Sequence, residues 1–419
     1  MEKLLISQNL HWKQEYKEVY NREIVKKIID RLDMPHIEAL QGIRRSGKST
    51  IFKLLINYLS KSIDSKKILF VNLDDPYFIP FSSDATKFHT IIETAEKLTQ
   101  TKIEYLFLDE VQSIEGWERY VKSAYDSQSF KKIFITGSNA SFLDGELSKL
   151  LTGRYLSSKV YPFSFRELLE ISGINSYFEL IEQKPMVLNL LDNMLQNSSF
   201  IEVFKAKDEY KRELIKSYYD AVILKDCISN NQVRDTKNFK KLSFYLLNNT
   251  TSLFSYNKIA KAIGISDLSV KEYIGYLEES FIIQELKQYY FSVKKQLSSK
   301  KKIYIIDNGF LLLNFKFSSN LGKLLENLVF SELIKNGFEV YFYNKDFECD
   351  FIAIKENKKI ALQVAYELNE QNRTREINGL KKLPFDVDKK YIITYNQEES
   401  LSDNIKVISF WKFFYEIEQ

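Results

Sequence analysis

An α/β fold built on a parallel sheet is predicted by three features of the sequence. Short apolar runs alternate with helical patterns over roughly the first 170 residues, a glycine-rich segment joins one such run to a helix, and the alternation returns near the C-terminus. Apolar runs of about four or five residues suit strands buried on both faces of a sheet. Strand–helix alternation along the chain then argues for helices layered on that sheet.

The elements follow in order. Residues 16–33 place Val19, Ile24, Ile28 and Leu32 at helical spacing, which predicts a helix. HIEALQG reads as a short strand ending in glycine, followed by a loop and the helix of SGKSTIFKLLINYLSKSI. Further strands are expected within 67–75, 103–110, 131–138 and 154–163. From 171 to 220 the pattern is helical. FKKLSFYLLNN continues it, and SYNKIAKAIGISDLSVKEYIGYLEES reads as helix, turn at Gly264, and second helix with Ser266 or Asp267 near its N-cap. The basic stretch VKKQLSSKKKIYIID is read as a β-wing. A helix over 318–336 and strands near 338–343, 349–354 and 359–365 complete the chain with a further helix and strands. The organisation expected is a core at 1–170, a helical lid or linker at 171–220, a winged-helix-like domain at 221–315 and an α/β domain at 316–419.

Composition narrows the class. The 419 residues are 44% hydrophobic and 28% charged, with only 13 glycines and 6 prolines, which excludes collagen-like and linker-rich chains. A net charge of +4 permits nucleic-acid binding without demanding it. Two cysteines and three histidines exclude a disulfide framework and argue against a Cys/His zinc site. With no apolar run of membrane-spanning length and no signal-peptide core at the N-terminus, a reduced, cytoplasmic protein is expected, with no membrane partner.

Two motifs carry chemistry. Gly42-Ile43-Arg44-Arg45-Ser46-Gly47-Lys48-Ser49 matches the phosphate-binding loop, with Thr50 following. Its glycines let backbone N–H groups turn toward phosphate oxygens, Lys48 brings a cation to the β/γ-phosphates, and Ser49 is a Mg²⁺ ligand. Arg45 could cover the phosphates. Tyr105-Leu106-Phe107-Leu108-Asp109-Glu110 is an apolar strand ending in two carboxylates. Asp109 is positioned to hold Mg²⁺ and Glu110 to polarise the attacking water.

These segments, with FLDEVQSIEGWE, FITGSNASFL and LTGRY followed by PFSFREL, resemble the bacterial and archaeal AAA-plus ATPases, in the subgroup joined to a C-terminal domain of unknown function. The later segments KDC, SVKEYIGYLEESFII and KIYIIDNGFL resemble that partner domain. The resemblance implies a P-loop parallel-sheet ATPase with ATP and Mg²⁺ as cofactors and a homo-oligomer as a possible state. It also implies that Ser138 or Asn139 serves as a polar sensor of the γ-phosphate, and that Arg154 is presented to a neighbouring subunit's nucleotide; Arg119 and Arg166 compete for that role.

The C-terminal half carries two further resemblances. The three-helix segment with its basic wing resembles a winged helix, which implies DNA contact through Ser269, Lys271 and Tyr273 and through Lys294, Lys295 and Lys300 to Lys302. Glu326 on a helix, Asp350 on a strand and Gln363 on the next resemble a restriction-endonuclease-like domain. That site uses carboxylates for Mg²⁺ and a lysine for the developing charge. Here Gln363 replaces a carboxylate and Ala365 stands where the lysine belongs, so the domain is expected not to cut, with Glu367 or Lys359 as substitutes able to migrate in. The expected function is Mg-dependent ATP hydrolysis coupled to DNA- or protein-binding modules. The alternatives are an ATP-gated nuclease and a nucleotide-dependent switch with little turnover.

Overall fold

Five of the apolar runs pair in parallel. In the computed structural model, which describes residues 1–140, 150–313, 320–401 and 404–417, the chain divides into two units, Met1–Val160 and Tyr161–Gln419. In the first unit, α1 (Glu2–Gln8) and α2 (Glu23–Ile29) precede β1 (Ile37–Gln41), and α3 (Lys48–Leu59) and β2 (Ile68–Asn72) follow. Then come α4 (Lys87–Thr99), β3 (Tyr105–Asp109), α5 (Trp117–Asp126), β4 (Lys132–Gly137) and β5 (Tyr155–Lys159). The strand order is β2-β3-β4-β1-β5, with every neighbouring pair parallel.

Successive strand residues point to opposite faces, and both faces are covered. Ala39, Val71, Leu106 and Ile135 enter one apolar core, while Leu40, Phe70, Phe107 and Phe134 enter the other. The runs are therefore unbroken rather than alternating. Phe107 and Phe134 stack with centroids 4.1 Å apart, and Phe52 of α3 meets Phe107 edge-on at 5.1 Å. That contact seats α3 on the sheet against β3.

The helix expected over 16–33 is shorter than its apolar spacing suggested. Only Glu23–Ile29 is helical. Tyr16 donates its backbone N–H to Asn57 Oδ1 at 2.9 Å and accepts from Asn57 Nδ2 at 2.8 Å. With both backbone groups satisfied by α3, this segment gains nothing from an intrahelical ladder.

In the second unit, α6 (Phe165–Ile171), α7 (Tyr177–Glu182), α8 (Lys184–Gln196), α9 (Ile201–Lys205) and α10 (Asp208–Ala221) lead into a π-helical turn, Val222–Ser229. Next come α11 (Thr236–Asn248), β6 (Leu253–Phe254), α12 (Tyr256–Ile263), α13 (Asp267–Glu279), β7 (Ile283–Lys287), α14 (Val293–Ser298) and β8 (Lys301–Ile305). Gly264 ends α12 with φ 86°, and the Ser266 hydroxyl caps α13 by accepting the Ser269 N–H at 3.0 Å. Strands β6, β8 and β7 pair antiparallel in that order. The stretch read as a β-wing is corrected in part: 293–298 is helical, and the strand begins only at Lys301.

The chain closes with α15 (Asn308–Leu311), α16 (Leu321–Lys335), β9 (Glu339–Asn344), β10 (Glu348–Lys355), β11 (Lys358–Val364), α17 (Arg373–Lys381), β12 (Lys389–Thr394), β13 (Glu399–Ser400), β14 (Ile405–Ser409) and α18 (Phe410–Glu416). Its mixed sheet has the order β13-β14-β12-β11-β10-β9. Residues 318 and 319, included in the expected helix, lie outside the described residues, as do 141–143 of the FITGSNASFL motif. Among the described residues no helix is long and apolar enough to cross a membrane.

A buried charge pair joins β1 to β4 near the ends where these strands begin. Glu38 Oε1 and Lys132 Nζ lie 3.4 Å apart, and Lys132 also donates to the Arg31 and Met34 carbonyls at 2.9 and 2.8 Å. Burial raises the Glu38 pKa and lowers that of Lys132, in each case against the pull of its partners. Glu38 Oε2 also meets Arg31 Nη2 at 3.1 Å, so removing Lys132 leaves the buried carboxylate with one cation of two, at a cost of up to the roughly 3–5 kcal/mol of a broken buried pair. Lys132→Met is expected to destabilise by up to that amount, and adding Glu38→Leu is expected to recover part of it. Denaturant unfolding measures both; a double mutant as unstable as the sum of its singles would refute the pairing.

Candidate functional site

The loop after β1 shows why its residue types are fixed. A Cβ on Gly42 would come within 2.0 Å of the Val160 carbonyl oxygen, while the Val160 N–H bonds the Gln41 carbonyl at 2.7 Å. The continuation of β5 therefore crosses Gly42 too closely for any side chain. Gly47, at φ 98°, adopts the left-handed conformation glycine tolerates and is the N-cap of α3. The unpaired N–H groups and positive dipole end of α3 face the loop.

Within the loop, the Ser46 hydroxyl is buried with no hydrogen-bond partner. Lys48 is buried, its Nζ 2.8 Å from the Gly42 carbonyl oxygen and 3.4 Å from that of Ile43. Arg44 and Thr50 are half-buried and Arg45 is exposed with φ 70°. One residue was missed by the sequence reading. Arg22, buried just before α2, donates from Nη1 to the Ser46 carbonyl at 2.8 Å. It holds the loop from behind and lies too far from the motif in sequence to be signalled by it.

The second acidic motif meets this loop. Ser49 Oγ donates to Asp109 Oδ2 at 2.6 Å, and Thr136 Oγ1 donates to Asp109 Oδ1 at 2.5 Å. Thr136 also accepts the Glu110 N–H at 2.9 Å. Asp109 is buried and its pKa is raised, by desolvation first and by Glu110 second, with Ser49, Thr136 and Lys48 opposing. Glu110 has φ 54°, and its Oε2 accepts from Gln112 Nε2 at 2.5 Å. Thr136 was hidden inside an apolar strand pattern; the β3–β4 pairing brings it to Asp109.

Ser138 and Asn139 are buried immediately after β4, at the same strand ends as the loop. Arg154 is at the other end. Its carbonyl accepts the N–H of Ile37, the first residue of β1, and its Nε pairs with Asp126 Oδ1 at 2.8 Å. At roughly 3.3 Å rise per residue, the length of β1 separates it from its own loop by about 16 Å. Of its competitors, Arg119 is exposed on α5, and Arg166 forms a helix-surface pair with Glu170 at 3.7 Å.

The second unit gathers the other candidate residues, with one correction. Glu326 and Asp350 come together, and Gln363 accepts the Asp350 N–H at 2.7 Å while donating to the Glu348 carbonyl at 3.1 Å. The cation beside them is Lys302, expected above to meet phosphates in the wing. It is buried, with Nζ 2.8 Å from Glu348 and 3.5 Å from Glu326. Burial lowers its pKa, but Glu326, Asp350 and Glu348 more than reverse this and the pKa is raised. Asp350 is raised as well, by desolvation and then by Glu326. Lys301 is buried too and bonds the Leu297 and Ser299 carbonyls. Lys359 does not migrate in; it lies 5.0 Å over the Tyr289 ring. Among the described residues no cluster of His, Cys, Asp and Glu is arranged to hold a metal ion.

A parallel sheet with a glycine loop leading into a helix, and a buried aspartate hydrogen-bonded to that helix, define a P-loop nucleotide-binding domain. Residues 35–169 match the family model described as AAA domain, and residues 189–320 and 321–413 match two domains of unknown function, DUF8612 and DUF4143. An uncharacterized protein of Methanocaldococcus jannaschii is 33% identical, covering 94% of this chain and 90% of its own. An uncharacterized protein of Haemophilus influenzae is 31% identical, covering 94% and 98%. Among solved structures, the Aeropyrum pernix ORC1 protein in complex with DNA aligns at TM-score 0.32 and 13% identity, covering 75% of this chain and 97% of its own. The chain belongs to the AAA-plus P-loop ATPase family whose members carry C-terminal domains of unknown function.

Thr136 gives this site its test. Thr136→Val leaves an Asp109 oxygen and the Glu110 amide without their partner, which is expected to cost about 1–3 kcal/mol. Thr136→Ser keeps both bonds and loses only a buried methyl, so it is expected to be the less destabilised of the two. Chemical denaturation distinguishes the two; a loss in Thr136→Ser as large as in Thr136→Val, which keeps the methyl, would contradict the hydrogen-bonding role.

Proposed function

We propose that this chain binds Mg-ATP at the loop of residues 42–50 and hydrolyses it to ADP and phosphate, passing the change of nucleotide state to its C-terminal modules. One observation carries the reading: Ser49, Asp109 and Thr136 form a continuous hydrogen-bonded line beside a buried lysine and an unpartnered buried Ser46 hydroxyl. That hydroxyl, Lys48 and the amides at the start of α3 suit phosphate oxygens. Ser49 and Asp109 suit a hard dication, and Mg²⁺ held there would neutralise charge on the phosphoryl oxygens.

The roles follow from position. Glu110 accepts the proton of the attacking water, with Gln112 orienting its carboxylate. Ser138 and Asn139 sit at the strand end where the γ-phosphate and that water would lie. Arg154, remote from its own loop, suits presentation to the nucleotide of a neighbouring subunit. In the second unit, Gln363 stands in place of a carboxylate and is tied to the Asp350 N–H, which favours a binding domain over a nuclease.

Phosphate release under steady-state conditions tests this. Lys48→Ala is expected to abolish ATP binding. Glu110→Gln is expected to bind ATP yet turn over at least on the order of 10²-fold more slowly. Wild-type turnover in Glu110→Gln would remove it as the base, and tight binding with no turnover in the wild type would favour the switch. The same assay in a dilution series reads Arg154: turnover per chain that is flat with concentration excludes action on a neighbour.

A further inference from the structure

The connection between β7 and β8 is chemically unlike the rest of the second unit. From Leu286 to Ile306 the sequence holds six lysines and no Asp or Glu. Lys301 and Lys302 are buried, but Lys287, Lys294, Lys295 and Lys300 are exposed. Interleaved with them are three large apolar side chains left mostly exposed: Phe291 is 83% exposed, Val293 67% and Leu297 59%, the Phe291 ring meeting Phe385 at 6.3 Å and the Lys359 ammonium at 5.9 Å.

This tip is held in shape. The Tyr289 ring is buried against Phe385 at 4.7 Å and Tyr341 at 5.6 Å, and its N–H bonds the Phe342 carbonyl at 2.7 Å. Gln296 Nε2 donates to the Tyr290 carbonyl at 2.7 Å, and Lys301 Nζ donates to the Leu297 carbonyl at 3.1 Å. Phe291 stands just beyond this anchor, its ring 5.7 Å from that of Tyr289. A segment already ordered loses little entropy when it binds.

Helix α13, the element that would enter a groove in a winged helix, has the opposite character. It carries Asp267, Glu272, Glu278 and Glu279 against the single Lys271, whose Nζ lies 5.3 Å over the Tyr256 ring. Tyr273 packs edge-on against Phe239 at 5.2 Å. A polyanion is repelled along α13 and attracted to the 287–300 connection.

We infer that residues 287–300 form a nucleic-acid-binding element: Lys287, Lys294, Lys295 and Lys300 contact phosphates, Phe291 stacks on an unpaired base, and α13 stays out of the contact. The inference deepens the binding role proposed above for the C-terminal modules. Stacking side chains interleaved with lysines are the chemistry that recognises single strands and unpaired ends. A duplex offers its phosphates but buries its base faces, so single-stranded DNA is the tighter ligand. A membrane surface fits less well, because the six-residue α14 is too short to lay an apolar face along lipid.

Fluorescence anisotropy of the full chain with a labelled single-stranded oligonucleotide and its duplex tests this. It is read without nucleotide, so an inactive ATPase site does not alter the result. The wild type is expected to bind the single strand more tightly, with affinity falling as salt rises. The triple variant Lys294→Ala, Lys295→Ala, Lys300→Ala should reduce the log–log salt slope by about 2, at roughly 0.7 per phosphate contact. Phe291→Ala should weaken single-strand binding by on the order of tenfold and leave duplex binding nearly unchanged, while Lys271→Ala should change neither. All these side chains are exposed, so the melting temperature should hold; if it falls, Lys→Glu reversal at 294 and 295 repeats the test. No binding to either DNA, a larger loss from Lys271→Ala than from the triple variant, or wing-dependent sedimentation with phosphatidylserine vesicles without DNA binding would each overturn the inference.

Discussion

A carboxylate buried where water cannot reach it constrains the first unit. Asp109 ends a strand in the middle of a sheet covered on both faces, and desolvation disfavours its charged form. Glu110 adds to that cost, and three other neighbours oppose it. Ser49 approaches from the first turn of α3, Thr136 from β4, and the Lys48 ammonium adds an opposite charge. Three elements distant in sequence converge because the order β2-β3-β4-β1-β5 sets the ends of β3, β4 and β1 side by side. Arg22 supports the loop from behind, and Gly42 lets the chain beyond β5 cross at close range. The aspartate is thus held in place at some electrostatic expense, the arrangement on which the proposed cation site rests.

Much of this was legible in the sequence. Unbroken apolar runs gave away the doubly covered strands, and the glycine loop with its lysine and serine needed no structure to be read. What escaped was of two kinds. Thr136 and Arg22 act through positions fixed only by tertiary pairing: one sits inside a strand that reads as apolar, the other before a helix whose predicted start was several residues too early. Lys302 was misassigned for a different reason. A run of three lysines reads as a solvated surface, yet β8 pairs between β6 and β7 and carries Lys301 and Lys302 inward. Charge composition along a chain does not reveal which charges a sheet will bury.

The second unit applies the same electrostatics in reverse. Where the resembled endonuclease site calls for carboxylates around a metal ion, Lys302 brings its own cation, paired to Glu348 and Glu326 beside Asp350. Gln363, in place of a third carboxylate, ties down the Asp350 backbone instead. Exposed lysines and apolar side chains occur together elsewhere, on the connection between β7 and β8.

The central claim is that Asp109 and Ser49 form a cation site coupled to the phosphate loop. Calorimetric titration of ATP, with Mg²⁺ and with EDTA, into the wild type and Asp109→Asn tests it most directly. Mg²⁺ should tighten wild-type binding by at least about tenfold, or 1.4 kcal/mol, and Asp109→Asn should lose this gain while still binding the free nucleotide. Equal wild-type affinity with and without Mg²⁺, or a full Mg²⁺ gain in Asp109→Asn, would contradict it.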